Sequence, residues 1–310
     1  MLQFYNGGWL KFFYTSLAYS ANTHDVVMAS WQPPGHQRIS IEFLVSFGHL
    51  RLMEPANRSF NVIVGLIVAN VIVFAITAFG PGMADLMVET LGLYYPKNEH
   101  FRYWQLVTNM FMHGGVTHIL FNMYGLWAFG TPLLELWGGK RFLFFYFVSG
   151  IGAALIYTFV NYYQFNTIYD ELLAAGISVA DIQNLLRTGR VIEAMSAFPK
   201  EKLETLVHLF NTPAVGASGA IYGVLVAFGM TYPNAKLALI FFPVPIAAKF
   251  FIPALILLDL FSGVTGVSIF GGGVAHFAHV GGAIIGFLLM WYWRDKTNVP
   301  EHYHNDRTET

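Results

Sequence analysis

Cysteine is absent from the 310 residues, which excludes disulfides, thiolate metal sites and a cysteine nucleophile and leaves the redox compartment unread. Charge is scarce as well: Asp, Glu, Lys and Arg make up 11% of the chain, against about 25% in an ordinary soluble domain. The net charge of -1 supplies no basic field for nucleic acid and no acidic field for basic partners, so nucleic acid is excluded as a partner. Apolar residues, 55% of the total, stand instead in long uncharged runs, which identifies a lipid bilayer as the solvent.

Residues 62–79 (VIVGLIVANVIVFAITAF) hold no charge, and at ~1.5 Å rise per residue they nearly cross a ~30 Å hydrocarbon core. Comparable runs follow at about 114–137, 142–160, 214–232, 250–267 and 274–293. The expectation is an all-α polytopic membrane protein with six spanning helices over 61–293, preceded by a segment 1–60 of unassigned role and followed by a tail 294–310. Lys140 and Arg141 follow the second run, Lys236 and Lys249 the fourth, and Arg294 and Lys296 the sixth, while the connection before the sixth has no basic residue. Basic residues in short connections resist translocation, so both termini are expected in the cytoplasm. The minimal plan without an organellar presequence leads to a bacterial plasma (inner) membrane as the expected location.

The connection 80–113 carries Tyr94, Tyr95, Phe101, Tyr103 and Trp104, rings suited to the headgroup level on the outer side. The segment 164–213 mixes acids and bases. In SVADIQNLLRTGR, Ser178 stands three residues before Asp181 as a helix cap, and Val179, Ile182, Leu185 and Leu186 share a face. Leu203, Leu206, Val207 and Phe210 repeat the pattern, so this insertion reads as two short amphipathic helices. Residues 1–53 include WLKFFYTSLAYSA, whose only basic residue, Lys11, makes it a poor signal peptide, and MEPANRSF reads as an alternative start at Met53.

Buried polar groups are costly in a bilayer, so each one within a span needs a structural reason or a function. GASGAIYG (216–223) opens the fourth run with Ser218 between glycines, AHVGGAIIG (278–286) puts His279 near the outer end of the sixth, and HILFN (118–122) sets His118 and Asn122 four apart in the second. A serine in the first turn of a helix sits among backbone N–H groups that lack intrahelical acceptors, an environment suited to an oxyanion. Gly219 and Gly223, like Gly282 and Gly286, are four apart, so the two helices can approach closely and bring Ser218 to His279. His279 would then be the base that activates the hydroxyl, and His118 and Asn122 would donate to the oxyanion. Taken one at a time these residues have plainer readings: a serine that caps or packs, a histidine satisfied by a carbonyl, and glycines that only allow close packing.

GASGAIYG, AHVGGAIIG and HGGVTHILFN, in that span assignment, closely resemble the three signature segments of the rhomboid family of intramembrane serine proteases, over about residues 60–293. The resemblance implies a six-helix rhomboid-like bundle and a Ser-His dyad: Ser218 as nucleophile, His279 as general base, and His118 and Asn122 as oxyanion donors. It further implies that Tyr222 stacks on the catalytic histidine, that His113 supports the outer loop, and that Gly216 forms the turn before the nucleophile. The implied activity is endoproteolysis of transmembrane or membrane-proximal segments of protein substrates, with no metal and no cofactor. In some family members an arginine follows the loop tryptophan, whereas Trp104 here precedes Gln105, which bears on loop anchoring.

Four histidines (113, 118, 276 and 279) admit a rival reading as metal or haem ligands, but that leaves Ser218, Asn122 and the glycine spacing unexplained. His276 reads as a loop or interfacial residue. Of the intramembrane carboxylates, Glu135 is assigned to helix packing, and Asp259, attractive as a third triad member, is set outside the catalytic set because the family pattern is a dyad. A rhomboid-like pseudoprotease or membrane-protein-binding chaperone is the alternative function. It would typically lack the serine or the histidine, and both are present.

Overall fold

The structure, a computed structural model, describes residues 60–239, 242–267 and 275–293. The assignments made for 1–60, for Met53 and for the tail 294–310 therefore lie outside the described residues, apart from the start of the first helix.

The chain is all-α and apolar. Helix α1 (Phe60–Phe79) turns Ile63, Leu66 and Asn70 inward and leaves Val68, Ile72 and Phe79 exposed. A helix so apolar on its open face requires a lipid surround. Two short helices, α2 (Met83–Leu91) and α3 (Gln105–Thr108), lie in the connection that follows. Gln105 is fully buried there. Its side-chain oxygen accepts from the amides of Tyr94 and Arg102, and its Nε2 donates to the carbonyls of Glu89 and His100. The loop is thus anchored by the residue that departs from the family pattern. Tyr103 and Trp104 stay exposed beside it.

Helix α4 (Val116–Trp137) leads into α5 (Gly139–Ala174), which is 36 residues long where a span of 142–160 was expected. Beyond Gly152 no glycine or proline occurs before Gly176, and Phe165, Ile168 and Leu172 in its last turns are buried against the insertion. The insertion contains the two anticipated amphipathic helices, α6 (Val179–Thr188) and α7 (Lys200–Asn211). Ser178 caps α6, its Oγ accepting from the Asp181 amide at 3.1 Å. Ile182, Leu185, Leu203, Leu206, Met195 and the tail of α5 enclose a second apolar cluster, closed by Tyr95 from the outer loop. Val179 departs from the expected face and is exposed.

Helix α8 (Ser218–Thr231) is the centre of the bundle, packed against α4, α5, α9 (Ala248–Thr265) and α10 (His276–Trp293). Every residue from Gly219 to Phe228 is buried, as an all-apolar helix must be to sit inside other helices. Between α8 and α9 lies a hairpin that was not anticipated, β1 (Lys236–Leu239) against β2 (Phe242–Ala247), antiparallel with Lys236 opposite Ala247. Among the described residues, α1, α5 and α9 are long and apolar enough to cross a membrane by length and composition. With 14 residues α8 reaches only ~21 Å, and α4 and α10 are diluted by the polar residues of the site. Glu135 is exposed on α4 rather than packed between helices.

Candidate active site

The approach of α8 to α10 fixes the site. A Cβ on Gly282 would lie 1.8 Å from the Gly219 carbonyl oxygen, and one on Gly286 would lie 2.5 Å from the Gly223 Cα. Only hydrogen fits at those points, so the two glycine faces anticipated from their spacing do meet. Ser218 is the first residue of α8 and His279 lies in the first turn of α10. The contact one turn above brings His279 Nε2 to 2.8 Å from Ser218 Oγ.

The ring of Tyr222 stacks on His279 with centroids 4.3 Å apart and planes 13° from parallel. Its hydroxyl donates to Asp259 Oδ2. The other carboxylate oxygen of Asp259 lies 3.1 Å from His279 Nδ1 and 2.6 Å from His276 Nδ1. Asp259 is thereby brought to the imidazole it was kept apart from, and His276, assigned above to a loop or the interface, is buried against the carboxylate. A carboxylate inside an apolar helix signals a need for donors, but these come from residues 17, 20 and 37 positions away, beyond any local pattern. The ligand atoms of Asp259, His276 and His279 lie within 4.8 Å of one another, close enough to share an ion. Here both imidazoles are hydrogen-bonded to the Asp259 carboxylate.

On the other side of Ser218, Gly216 has φ +129°, a conformation that favours glycine, and its amide donates to the Asn109 carbonyl at 2.9 Å. A Cβ there would stand 2.8 Å from His118 Nε2 and 3.5 Å from Ser218 Oγ, so both atoms border one small space. The Gly114 amide donates to His118 Nδ1 at 3.4 Å, which leaves the His118 proton on Nε2, facing that space. Asn122 is buried and gives one amide proton to the His118 carbonyl at 3.0 Å, keeping a second. His113 packs edge-on against His118 with centroids 5.0 Å apart. Burial, and after it the neighbouring His118, pushes the His113 imidazole down to about 4. A cavity of about 20 Å³, room for one water, lies beside Ser218 and is lined by Asn109, Gly150, Gly216 and Gly219.

The Rhomboid domain family model matches residues 100–296, which includes all of these positions. The chain belongs to the rhomboid family. This rhomboid chain is 28% identical to the zebrafish (Danio rerio) presenilin-associated rhomboid-like protein A, mitochondrial, over 79% of its own length and 52% of the relative's. It is 27% identical to the mitochondrial rhomboid protein 1 of Saccharomyces cerevisiae, over 60% of the chain and 41% of the relative. Rhomboid protease AarA of Providencia stuartii matches at 28% over 60% of the chain and 54% of the relative. The chain spans about half the length of the curated relatives it matches. These relatives overturn the expected bacterial plasma membrane, since the zebrafish and yeast proteins are named as mitochondrial. The argument from an absent organellar presequence, and the cytoplasmic placement of the termini that accompanied it, fall with that expectation.

Proposed function

We propose that this rhomboid is an intramembrane serine endopeptidase that cleaves transmembrane or membrane-proximal segments of membrane proteins. The observation that carries the reading is the 2.8 Å separation of His279 Nε2 from Ser218 Oγ at the start of a buried helix. A substrate segment must unwind locally to expose a carbonyl that a bilayer otherwise keeps hydrogen-bonded. Ser218 Oγ then bonds to the carbonyl carbon as its proton passes to His279 Nε2. The oxyanion meets the Nε2 proton of His118, the free amide proton of Asn122 and the Ser218 N–H. Collapse breaks the C–N bond, His279 protonates the leaving amine, and water, deprotonated by the same nitrogen, hydrolyses the acyl ester. The names of the animal and yeast relatives support a mitochondrial membrane as the setting.

The test is labelling of detergent-solubilised full chain with a serine-reactive fluorophosphonate, alongside cleavage of a model transmembrane substrate. Wild type should label and cleave, whereas Ser218→Ala and His279→Ala should do neither while remaining folded. Turnover retained by either variant refutes the assignment. Binding of transmembrane clients by an unlabelled wild type would instead favour the non-proteolytic, chaperone-like reading that the rhomboid-like names of several relatives leave in view.

A further inference from the structure

We infer that Asp259 is the positioning residue of the site, an anchor on α9 that sets the tautomer and ring orientation of His279; this rests on the proteolytic reading proposed above. Its side chain is 1% exposed and accepts from three donors: the Tyr222 hydroxyl on Oδ2, and His276 Nδ1 and His279 Nδ1 on Oδ1. An ionised carboxylate can only accept, so each imidazole presents Nδ1–H to it. With its proton held on Nδ1, His279 offers a bare Nε2 to the Ser218 hydroxyl, the arrangement that proton abstraction requires. As Ser218 Oγ forms its bond to carbon, the imidazolium of His279 gains the negative charge of Asp259 3.1 Å away, and the carboxylate itself takes no proton.

The other two donors hold Asp259 in place. Tyr222 contacts both ends of the pair, its ring on the imidazole and its hydroxyl on the carboxylate, so ring and carboxylate cannot shift independently. His276 fills the remaining lone-pair direction of Oδ1 from one turn before His279. All four residues lie on three helices, α8, α9 and α10, so the base is positioned by helix packing and not by a loop.

The experiment uses full-length protein in detergent micelles and compares wild type with Asp259→Asn, which is isosteric and keeps an oxygen for the imidazoles but removes the charge. The rate of fluorophosphonate labelling and kcat on a transmembrane substrate should both fall by about 10²- to 10⁴-fold, with KM within about threefold of wild type and melting preserved. A folded Asp259→Asn protein that labels and turns over at the wild-type rate overturns the inference. Should that variant not fold, ¹⁵N NMR of histidine-labelled wild type decides: the inference requires His279 protonated at Nδ1 and bare at Nε2, and the opposite tautomer overturns it. A wild type that does not label at all refutes the protease reading instead, and the NMR measurement still judges the role of Asp259.

Discussion

Gly282→Ala probes the device on which the whole site depends. The added Cβ would stand 1.8 Å from the Gly219 carbonyl oxygen and 2.7 Å from its carbon. A carbon and a carbonyl oxygen settle no closer than about 3.3 Å, so α10 and α8 must part by about 1.5 Å at that level. Gly219 adjoins Ser218, and Gly282 lies one turn from His279, so the parting is delivered almost directly to the reacting pair. A separation of 2.8 Å then grows towards ~4.3 Å, past the reach of a hydrogen bond. A misplacement of ~1 Å costs about 10² in rate, so kcat on a transmembrane substrate should fall at least 10²-fold. Overpacking should also lower stability, by about 1–3 kcal/mol. Gly65→Ala is the control, because nothing lies within 4 Å of the added methyl, and its activity should match wild type. Turnover and fluorophosphonate labelling would be measured with thermal melting on the same samples. Wild-type turnover in a normally melting Gly282→Ala protein would refute the claim that glycine contact places the dyad.

Two further predictions concern the far side of Ser218. His118→Ala and Asn122→Ala should each lower kcat by about 10²–10³, and the double variant should lose less than the product, because in the proposed mechanism both donate to one oxygen; strict additivity would speak against a shared oxyanion. His113 titrates near 4 in the folded protein and near 6.5 once unfolded, so below pH 6.5 the unfolded chain takes up a proton that the native one refuses. Stability should therefore fall as pH drops from about 6.5 to about 4, by up to about 3 kcal/mol, and level off below, a loss that His113→Gln should remove from melting curves recorded across that window.

Much of the site was legible because its parts announce themselves locally. Ser218 begins a helix, His279 sits a turn into another, and glycines four apart mark where the two helices touch. The pair Asp259 and His276 was not legible in the same way. A carboxylate in an apolar span says that donors must exist, but which ones they are is settled by the crossing of α9 and α10. The length of α5 was hidden for a different reason: Asn161, Tyr162, Tyr163 and Gln164 look like the end of a span, yet without a helix breaker the turns continue. Phe165, Ile168 and Leu172 carry the apolar stripe onwards, into the insertion and away from the bundle core. The β-hairpin lacked any signal strong enough to separate it from the apolar helices around it.

Helix α7 of the outer cluster runs directly into residues 212–216, the segment that leads to Ser218 and that the loop after α2 ties down. Leu93 and Ala214 exchange both backbone hydrogen bonds at 2.9 Å, and Asn98 Nδ2 reaches the Phe210 carbonyl at 2.7 Å, just upstream of Gly216 and Ser218. The two apolar clusters are separate, so they need not melt together. On warming or in harsh detergent, loss of the outer one would slacken residues 212–216 while the helices of the inner one stand. The proposed proteolysis would then cease at a temperature where circular dichroism still registers a nearly full complement of helix, and this small external cap would set the working range of the site beneath it.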